Sequence, residues 1–170
     1  MFMKRNLVEL PIPTRDGIFL AHYSKKGLAE LNFPVGSARR ADQWTLRRSV
    51  PTKIKKWHRT TETALKKILA GKKSKLPPLD WTGKTEFQKS AWKQMLKISP
   101  GKTKSYGEVA TAIKNPKAVR AVGGACGANP IPVLVPCHRI LAANKKLGGF
   151  SGGLDWKRSL LKREGIKFDV

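Results

Sequence analysis

Acidic side chains are scarce in this 170-residue chain. Its 11 Asp and Glu stand against 35 Lys and Arg, leaving a formal net charge of +24. That imbalance favours polyanionic partners, nucleic acid first and an anionic membrane surface second. Cysteine is nearly missing as well. Cys126 and Cys137 are the only two, so no cluster has the spacing of a zinc site, although spacing leaves a disulfide between them open. Long apolar runs are also absent. No stretch approaches the ~18–20 apolar residues that span a bilayer. Phe2 and Met3 give way at once to Lys4 and Arg5, unlike a secretory signal. These absences predict an intracellular protein, with no membrane attachment and both thiols reduced.

An apolar share of 40% suffices for a packed core. The length suits one ordinary domain or two small ones. The basic excess is no tail, because residues 1–80 and 81–170 each carry a surplus of 12 positive charges. Leu7–Leu10, Gly17–Tyr23 and Gly27–Phe33 alternate apolar and polar residues, and Pro11, Ser24 and Pro34 punctuate them. This predicts a small antiparallel sheet. Arg39 to Arg59 is basic, interleaved with Trp44 and Trp57, and reads as either helix or loop. Thr60 to Ala70 reads as a short helix stopped by Gly71, and Lys72 to Pro78 as a linker. The expected units are therefore 1–80 and 81–170.

In the second unit, Thr85-Glu86-Phe87-Gln88 fits a capping box that opens a helix running to Ile98. A second helix is predicted from about Tyr106 to Ile113. A third covers Lys117 to Ala125, with Asn115 as cap and Pro116 in the first turn. Two short helices, the second basic and small-faced, suggest a helix-turn-helix or an ordinary helical hairpin. Arg120 is the only long side chain in the middle of that third segment. Such a helix can lie in a groove and push one arginine inward.

The sharpest segment is Val133-Leu134-Val135-Pro136-Cys137-His138-Arg139-Ile140, an apolar β-branched run that delivers a cysteine into a buried setting. A free thiol titrates at about 8.5, so a nucleophilic Cys137 requires a base or cation nearby. His138 and Arg139 are candidates. On a strand, neighbours point to opposite faces, so His138 would act through a turn or a water. Taken alone, the pair also suits a structural cysteine beside a surface histidine.

The wider pattern is more specific. Ser105-Tyr106-Gly107, Arg120-Ala121-Val122-Gly123-Gly124-Ala125, Asn129-Pro130-Ile131-Pro132, Pro136-Cys137-His138-Arg139, Gly149-Phe150-Ser151-Gly152-Gly153, Lys157, Leu160-Leu161 and Glu164-Gly165 follow in that order. From about Trp81 to Ile166 the chain closely resembles the O6-alkylguanine-DNA alkyltransferases. Over residues 1–80 the likeness is weak. The resemblance implies an α/β protein. Residues 1–80 would form a ribonuclease-H-like α/β domain with an antiparallel sheet. Residues 81–170 would form a mainly helical, winged-helix-like domain containing a helix-turn-helix, and its last helix, near Gly153 to Arg163, would bring Glu164 back to His138.

The resemblance also implies a single-turnover DNA-repair activity on double-stranded DNA containing O6-alkylguanine, by a monomer that needs no cofactor. It leaves O4-alkylthymine open as a second substrate. The setting would be the cytoplasm of a prokaryote or the nucleus of a eukaryote. Cys137 would accept the alkyl group. Glu164 would orient His138, which deprotonates Cys137 through a water. Tyr106 would donate to the guanine ring, and Asn129 would brace the active-site turn. Pro132 and Phe150 would line the alkyl pocket, Ser151 would offer a donor near O6, and the backbone at Cys137 and Ile140 would read the guanine edge. The helix-turn-helix would sit in the minor groove with Ala118, Ala121 and Gly123 against the DNA backbone, while Arg120 fills the gap left by the flipped nucleotide. Lys84, Lys104, Lys117 and Lys157 are candidate phosphate contacts. The chain departs from the family pattern at Val119, Cys126 and Phe150, each differing from the residue common at that place. Some relatives bind zinc in the N-terminal domain. Residues 1–80 hold no cysteine and only His22 and His58, so no structural metal is expected. Three rival readings are a binder of alkylated DNA that does no chemistry, a helix-turn-helix regulator or non-specific nucleic-acid binder in which Cys137 is merely buried, and a cysteine hydrolase. The first normally lacks the reactive cysteine, and the last needs an acyl substrate and an oxyanion hole that nothing in the sequence indicates.

Overall fold

A computed structural model describes residues 7–34 and 50–169. Strands β1 (Val8–Thr14), β2 (Gly17–Tyr23) and β3 (Leu28–Asn32) form an antiparallel sheet in the order β1-β2-β3. The sequence ended the first strand before Pro11, but β1 runs through Pro11 and Pro13 to Thr14, pairing them with Leu20 and Ile18. The physical reason is position. β1 is an edge strand, and two prolines of the same parity both turn their missing N–H away from β2. Leu10, Ile12, Phe19, Ala21 and Tyr23 are buried on the inner face, as strand periodicity requires.

Helix α1 (Thr52–Leu69) buries Ile54, Trp57, Thr61, Ala64, Leu65, Ile68 and Leu69 as one stripe. It starts eight residues before the expected Thr60, directly after Pro51, whose fixed φ suits a helix entry. The basic residues in between do not oppose helix formation, because Lys and Arg propensities are high. Trp44 of the ambiguous basic stretch lies outside the described residues. The helix ends before Gly71, whose φ of +70° is the left-handed stop expected there.

Helix α2 (Glu86–Met95) opens with the predicted capping box of Thr85 and Gln88. A second, unpredicted box joins Ser105 and Glu108 at the start of α3 (Tyr106–Ala112). Helix α4 (Val119–Gly127) begins later than Asn115-Pro116 implied, with Ala118 at its N-cap and no side-chain cap bond. The Asn115 carbonyl instead accepts from the Ala118 amide at 3.0 Å in a separate turn. Trp92 ties α2 to α4, its ring N–H donating to the Ala125 carbonyl at 2.8 Å. Two-residue strands β4 (Lys104–Ser105) and β5 (Ile140–Leu141) pair in parallel. Helix α5 (Leu154–Arg163) closes the chain where expected, with Glu164 at its C-cap. The fold is thus mixed α/β, with an antiparallel sheet and five α-helices among the described residues. No helix among them is long and apolar enough to cross a membrane.

Contacts from the first half reach the second directly. The Leu31 amide of β3 donates to the Pro130 carbonyl at 2.8 Å. The Arg163 guanidinium binds the Asp16 carboxylate at 2.6 and 2.8 Å and the Leu69 carbonyl at 3.3 Å. The residue preceding Glu164 is therefore fixed by the β1–β2 turn and the end of α1. One hydrophobic cluster extends from Ile12 and Phe19 to Val135 and Leu160.

Candidate active site

Residues 131–140 are all buried. The run leading to Cys137 is not a strand. It is a turn followed by a 3-10 helix over Cys137–Arg139. The turn includes Val133 at φ +70°, a conformation that a β-branched residue adopts only under constraint. Asn129 supplies much of that constraint. Its side-chain oxygen accepts from the Ile131 amide at 3.0 Å. Its Nδ2 donates to the Val135 carbonyl at 2.9 Å and to Cys137 Sγ at 3.1 Å. A single buried amide thus closes the turn and touches the sulfur.

Burial raises the Cys137 thiol above its ordinary value. The Asn129 donor, the charge of Lys157 and the backbone amides of Cys137 and His138 work the other way. Ionising this thiol therefore requires a base. His138 is fully buried, and burial lowers it below 6.5 against the pull of Glu164, so it is neutral near pH 7. Its Nε2 lies 3.2 Å from Glu164 Oε1. A carboxylate only accepts, so Nε2 carries the ring proton and Nδ1 keeps a free lone pair. Nδ1 is buried and has no hydrogen-bond partner among the described residues. The ring and Sγ make no direct hydrogen bond among the described residues.

Arg139, offered by the sequence as a cation for the thiolate, is committed elsewhere. Its Nε and Nη2 grip Glu164 at 2.7–3.1 Å, and Nη1 donates to the Ile98 carbonyl at 2.5 Å. For Glu164, burial works against ionisation, but the bonds from His138 and Arg139 prevail and bring its carboxyl down to about 2.

The cation that does act on the sulfur is Lys157. It is fully buried, so it is no phosphate contact, contrary to the sequence reading. Its Nζ donates to the carbonyls of Ile140 at 2.7 Å, Gly149 at 3.3 Å, and Leu147. Burial lowers its pKa to about 8, against the pull of Cys126 and Cys137. A signal was available in the sequence. Lys157 stands three and four residues before Leu160 and Leu161, on the inward face of an amphipathic helix.

Tyr106 follows Ser105, which β4 pairs with Leu141, so the ring stands beside the Cys137 segment. Gly148 makes room for it, whereas a Cβ at Gly123 would only touch it. A Cβ at Gly148 (φ +64°) would stand 2.8 Å from the Tyr106 hydroxyl, and one at Gly123 3.9 Å from the ring. Burial and the two nearby thiols raise the Tyr106 hydroxyl to about 12, which keeps it protonated. Burial likewise raises the Cys126 thiol to about 12.

Residues 86–166 match the family model described as 6-O-methylguanine DNA methyltransferase, DNA binding domain. The methylated-DNA–protein-cysteine methyltransferase of Methanosarcina barkeri is 38% identical over 169 residues, covering 95% of this chain and 97% of its own. This chain belongs to the methylated-DNA–protein-cysteine methyltransferase family. The methyltransferase of Methanosarcina mazei is 58% identical over 80 residues, 47% of this chain and 51% of its own. That match, like the one to the relative from Haemophilus influenzae, spans only about half the relative's length. The crystal structure of Mycobacterium tuberculosis OGT in complex with DNA superposes with a TM-score of 0.66 at 32% identity, covering 91% of this chain and 90% of that one.

Of the expected pocket residues of this methyltransferase-family chain, Pro132 and Ile140 are buried, Phe150 is half-buried and Ser151 is exposed. Phe150 packs edge-on against Phe33 at 5.8 Å and lies 6.5 Å from the His138 ring. Sequence reasoning gave Phe33 no role, yet it fills the space beside Gly152, where a Cβ would strike its ring. The outer face of α4 presents Arg120, Ala121 and Gly124, all exposed, with Ala118 and Gly123 half-buried at its flank.

Proposed function

We propose that the chain repairs O6-alkylguanine in double-stranded DNA by moving the alkyl group to Cys137, once per molecule. The observation that carries this reading is a buried cysteine held by Asn129, beside a neutral histidine with one unpaired nitrogen and an ionised glutamate on the other. His138 Nδ1 accepts the Cys137 proton through a water, and Glu164 steadies the resulting imidazolium. Sγ attacks the alkyl carbon in line. The S–C bond forms as the C–O6 bond breaks, and the electron pair passes to the guanine. The hydroxyl of Tyr106 donates to the ring as that charge develops. Lys157 stabilises the thiolate before attack. The product is a thioether, which water does not cleave, so the protein is consumed.

Pro132 and Phe150 line the alkyl pocket, Ser151 supplies a donor near O6, and the backbone at Cys137 and Ile140 reads the base edge. The finer architecture follows this reading. Residues 1–80 form a ribonuclease-H-like domain. Residues 81–170 form a winged-helix-like domain whose α3 and α4 make a helix-turn-helix for the minor groove. The target base must leave the stack to reach a buried sulfur, and Arg120 fills its place.

The direct test mixes the protein with a duplex bearing one O6-methylguanine and weighs the peptide containing Cys137. A gain of one methyl with stoichiometric loss of the lesion is expected. Binding without a mass change sinks the proposal.

Minor-groove docking also makes a prediction at Gly124. A Cβ there meets nothing within 4 Å, so the fold itself gives no reason for glycine in mid-helix. Gly124→Ala should stabilise the free protein by about 0.5–1 kcal/mol, seen as a higher Tm. The same methyl should weaken duplex binding several-fold if DNA approaches that face. Unchanged affinity would remove α4 from the interface.

A further inference from the structure

The basic charge of the first half is not used by the site, and α1 concentrates it. At 100° per residue, the buried residues of α1 occupy one side of the helix. Lys53, Lys55, Lys56, Arg59, Lys66 and Lys67, all exposed, fall on the other. Glu62 is the only acidic residue in the helix, and Lys66 holds it at 2.6 Å.

This is an unfavourable arrangement for the free protein. A solvated helix face ordinarily alternates signs at i,i+3 and i,i+4, whereas Lys53/Lys56, Lys56/Arg59 and Lys55/Arg59 set like charges at those spacings. The first turn holds no acidic residue, so Lys53 and Lys55 also stand against the positive end of the helix dipole. Lys53 standing 4.9 Å over the Trp57 ring and the Lys66–Glu62 pair offset only part of this repulsion, whereas a polyanion laid along the face offsets the rest.

We propose that the outer face of α1 is a second phosphate-contacting surface for duplex DNA, separate from α4. From Lys53 to Lys67 the helix runs about 21 Å, a length over which a duplex offers about a dozen phosphate charges. DNA fits better than a membrane. A basic amphipathic helix enters a bilayer by its apolar face, and here that face is buried in the protein core. The surface carries no sequence information and is long, which suits a protein that must survey undamaged DNA. The inference rests on the DNA-repair reading above.

The experiment uses the full chain and an undamaged 30-base-pair duplex, titrated over a range of KCl concentrations. Replacing Lys53, Lys55, Lys56 and Arg59 with Gln should make the slope of log K against log [KCl] shallower by about 2–3, at about 0.9 for each phosphate no longer neutralised. The charge-conserving variant Lys53→Arg, Lys55→Arg, Lys56→Arg should keep the parent slope. Methylation of Cys137 by a saturating lesion duplex should proceed at the parent rate in both variants. An unchanged slope in the folded glutamine variant overturns the proposal. So does a weakening seen only with phosphatidylserine vesicles. A parent protein that binds duplex with this slope but never gains a methyl would instead refute the repair reading and leave the α1 surface standing.

Discussion

Cys137→Ser should bind a duplex containing O6-methylguanine and leave the lesion intact indefinitely. The substitution is nearly isosteric. The Asn129 amide can donate to a hydroxyl as it does to Sγ, so the turn keeps its bonds to Val135 and Ile131 and the fold should be retained. The chemistry should not survive. A serine hydroxyl is far less acidic than a thiol, and the site offers a single neutral histidine reached through water, with no second base. Alkyl transfer to carbon also depends on the polarisable sulfur. We expect no methyl on the protein and no loss of lesion within hours, while the parent goes to completion at one equivalent. Cys126 provides an internal control. Burial raises its thiol to about 12 in spite of the charge of Lys157, so it should stay unmodified in both proteins. Methylation of the Cys137→Ser variant at Cys126 would mean that the acceptor has been misassigned.

The sequence disclosed the site more fully than it disclosed the fold around it. Cys137, His138, Glu164, Asn129 and Tyr106 were all implied by the family resemblance, and the structure hydrogen-bonds Asn129 to Cys137 and His138 to Glu164. What stayed hidden was direction. Arg139 looked like the cation for the thiolate because it is close in sequence. A 3-10 turn, rather than a strand, sends it to Glu164 and Ile98 instead. Lys157 looked like a surface charge because lysines usually are. Its periodicity with Leu160 and Leu161 pointed inward, and its partners, the carbonyls of Ile140, Leu147 and Gly149, lie in the irregular segment just before α5, whose path spacing alone cannot give.

The same limit explains the first half. The early start of α1 depended on Pro51, and the persistence of β1 through Pro11 and Pro13 depended on being an edge strand. Edge position is a property of the sheet, not of the strand. Phe33 was equally illegible, because its partners Phe150, Trp156 and Gly152 lie more than a hundred residues away.

Glu164→Gln should be the most damaging conservative change. Glu164 is the one anion between two groups taken fully out of water, with side-chain exposure of 0–1% for His138 and Glu164 and 6% for Arg139. Removing its charge leaves the Arg139 guanidinium buried without a counter-ion, which costs about 3–5 kcal/mol and should lower Tm markedly. In the parent, Glu164 ionises far below the ordinary 4.5. The stability it contributes is therefore complete above 4.5 and is lost as pH falls towards 2. The variant should lack that acid-sensitive component.

Activity separates a proton relay from mere scaffolding. His138 must be neutral to accept the Cys137 proton, and its pKa already lies below 6.5. Transfer by the parent should therefore fall off only below pH 6.5. Glu164 is the group that raises His138, so without its charge the acid limb must move to still lower pH. Transfer should also slow by about 10²–10⁴ at every pH, the range of a lost general base. Measured at a temperature where both proteins are folded, a slower rate with an unmoved acid limb would reduce Glu164 to a structural anchor for Arg139. A shifted limb is what a carboxylate steering the imidazole through Nε2 requires.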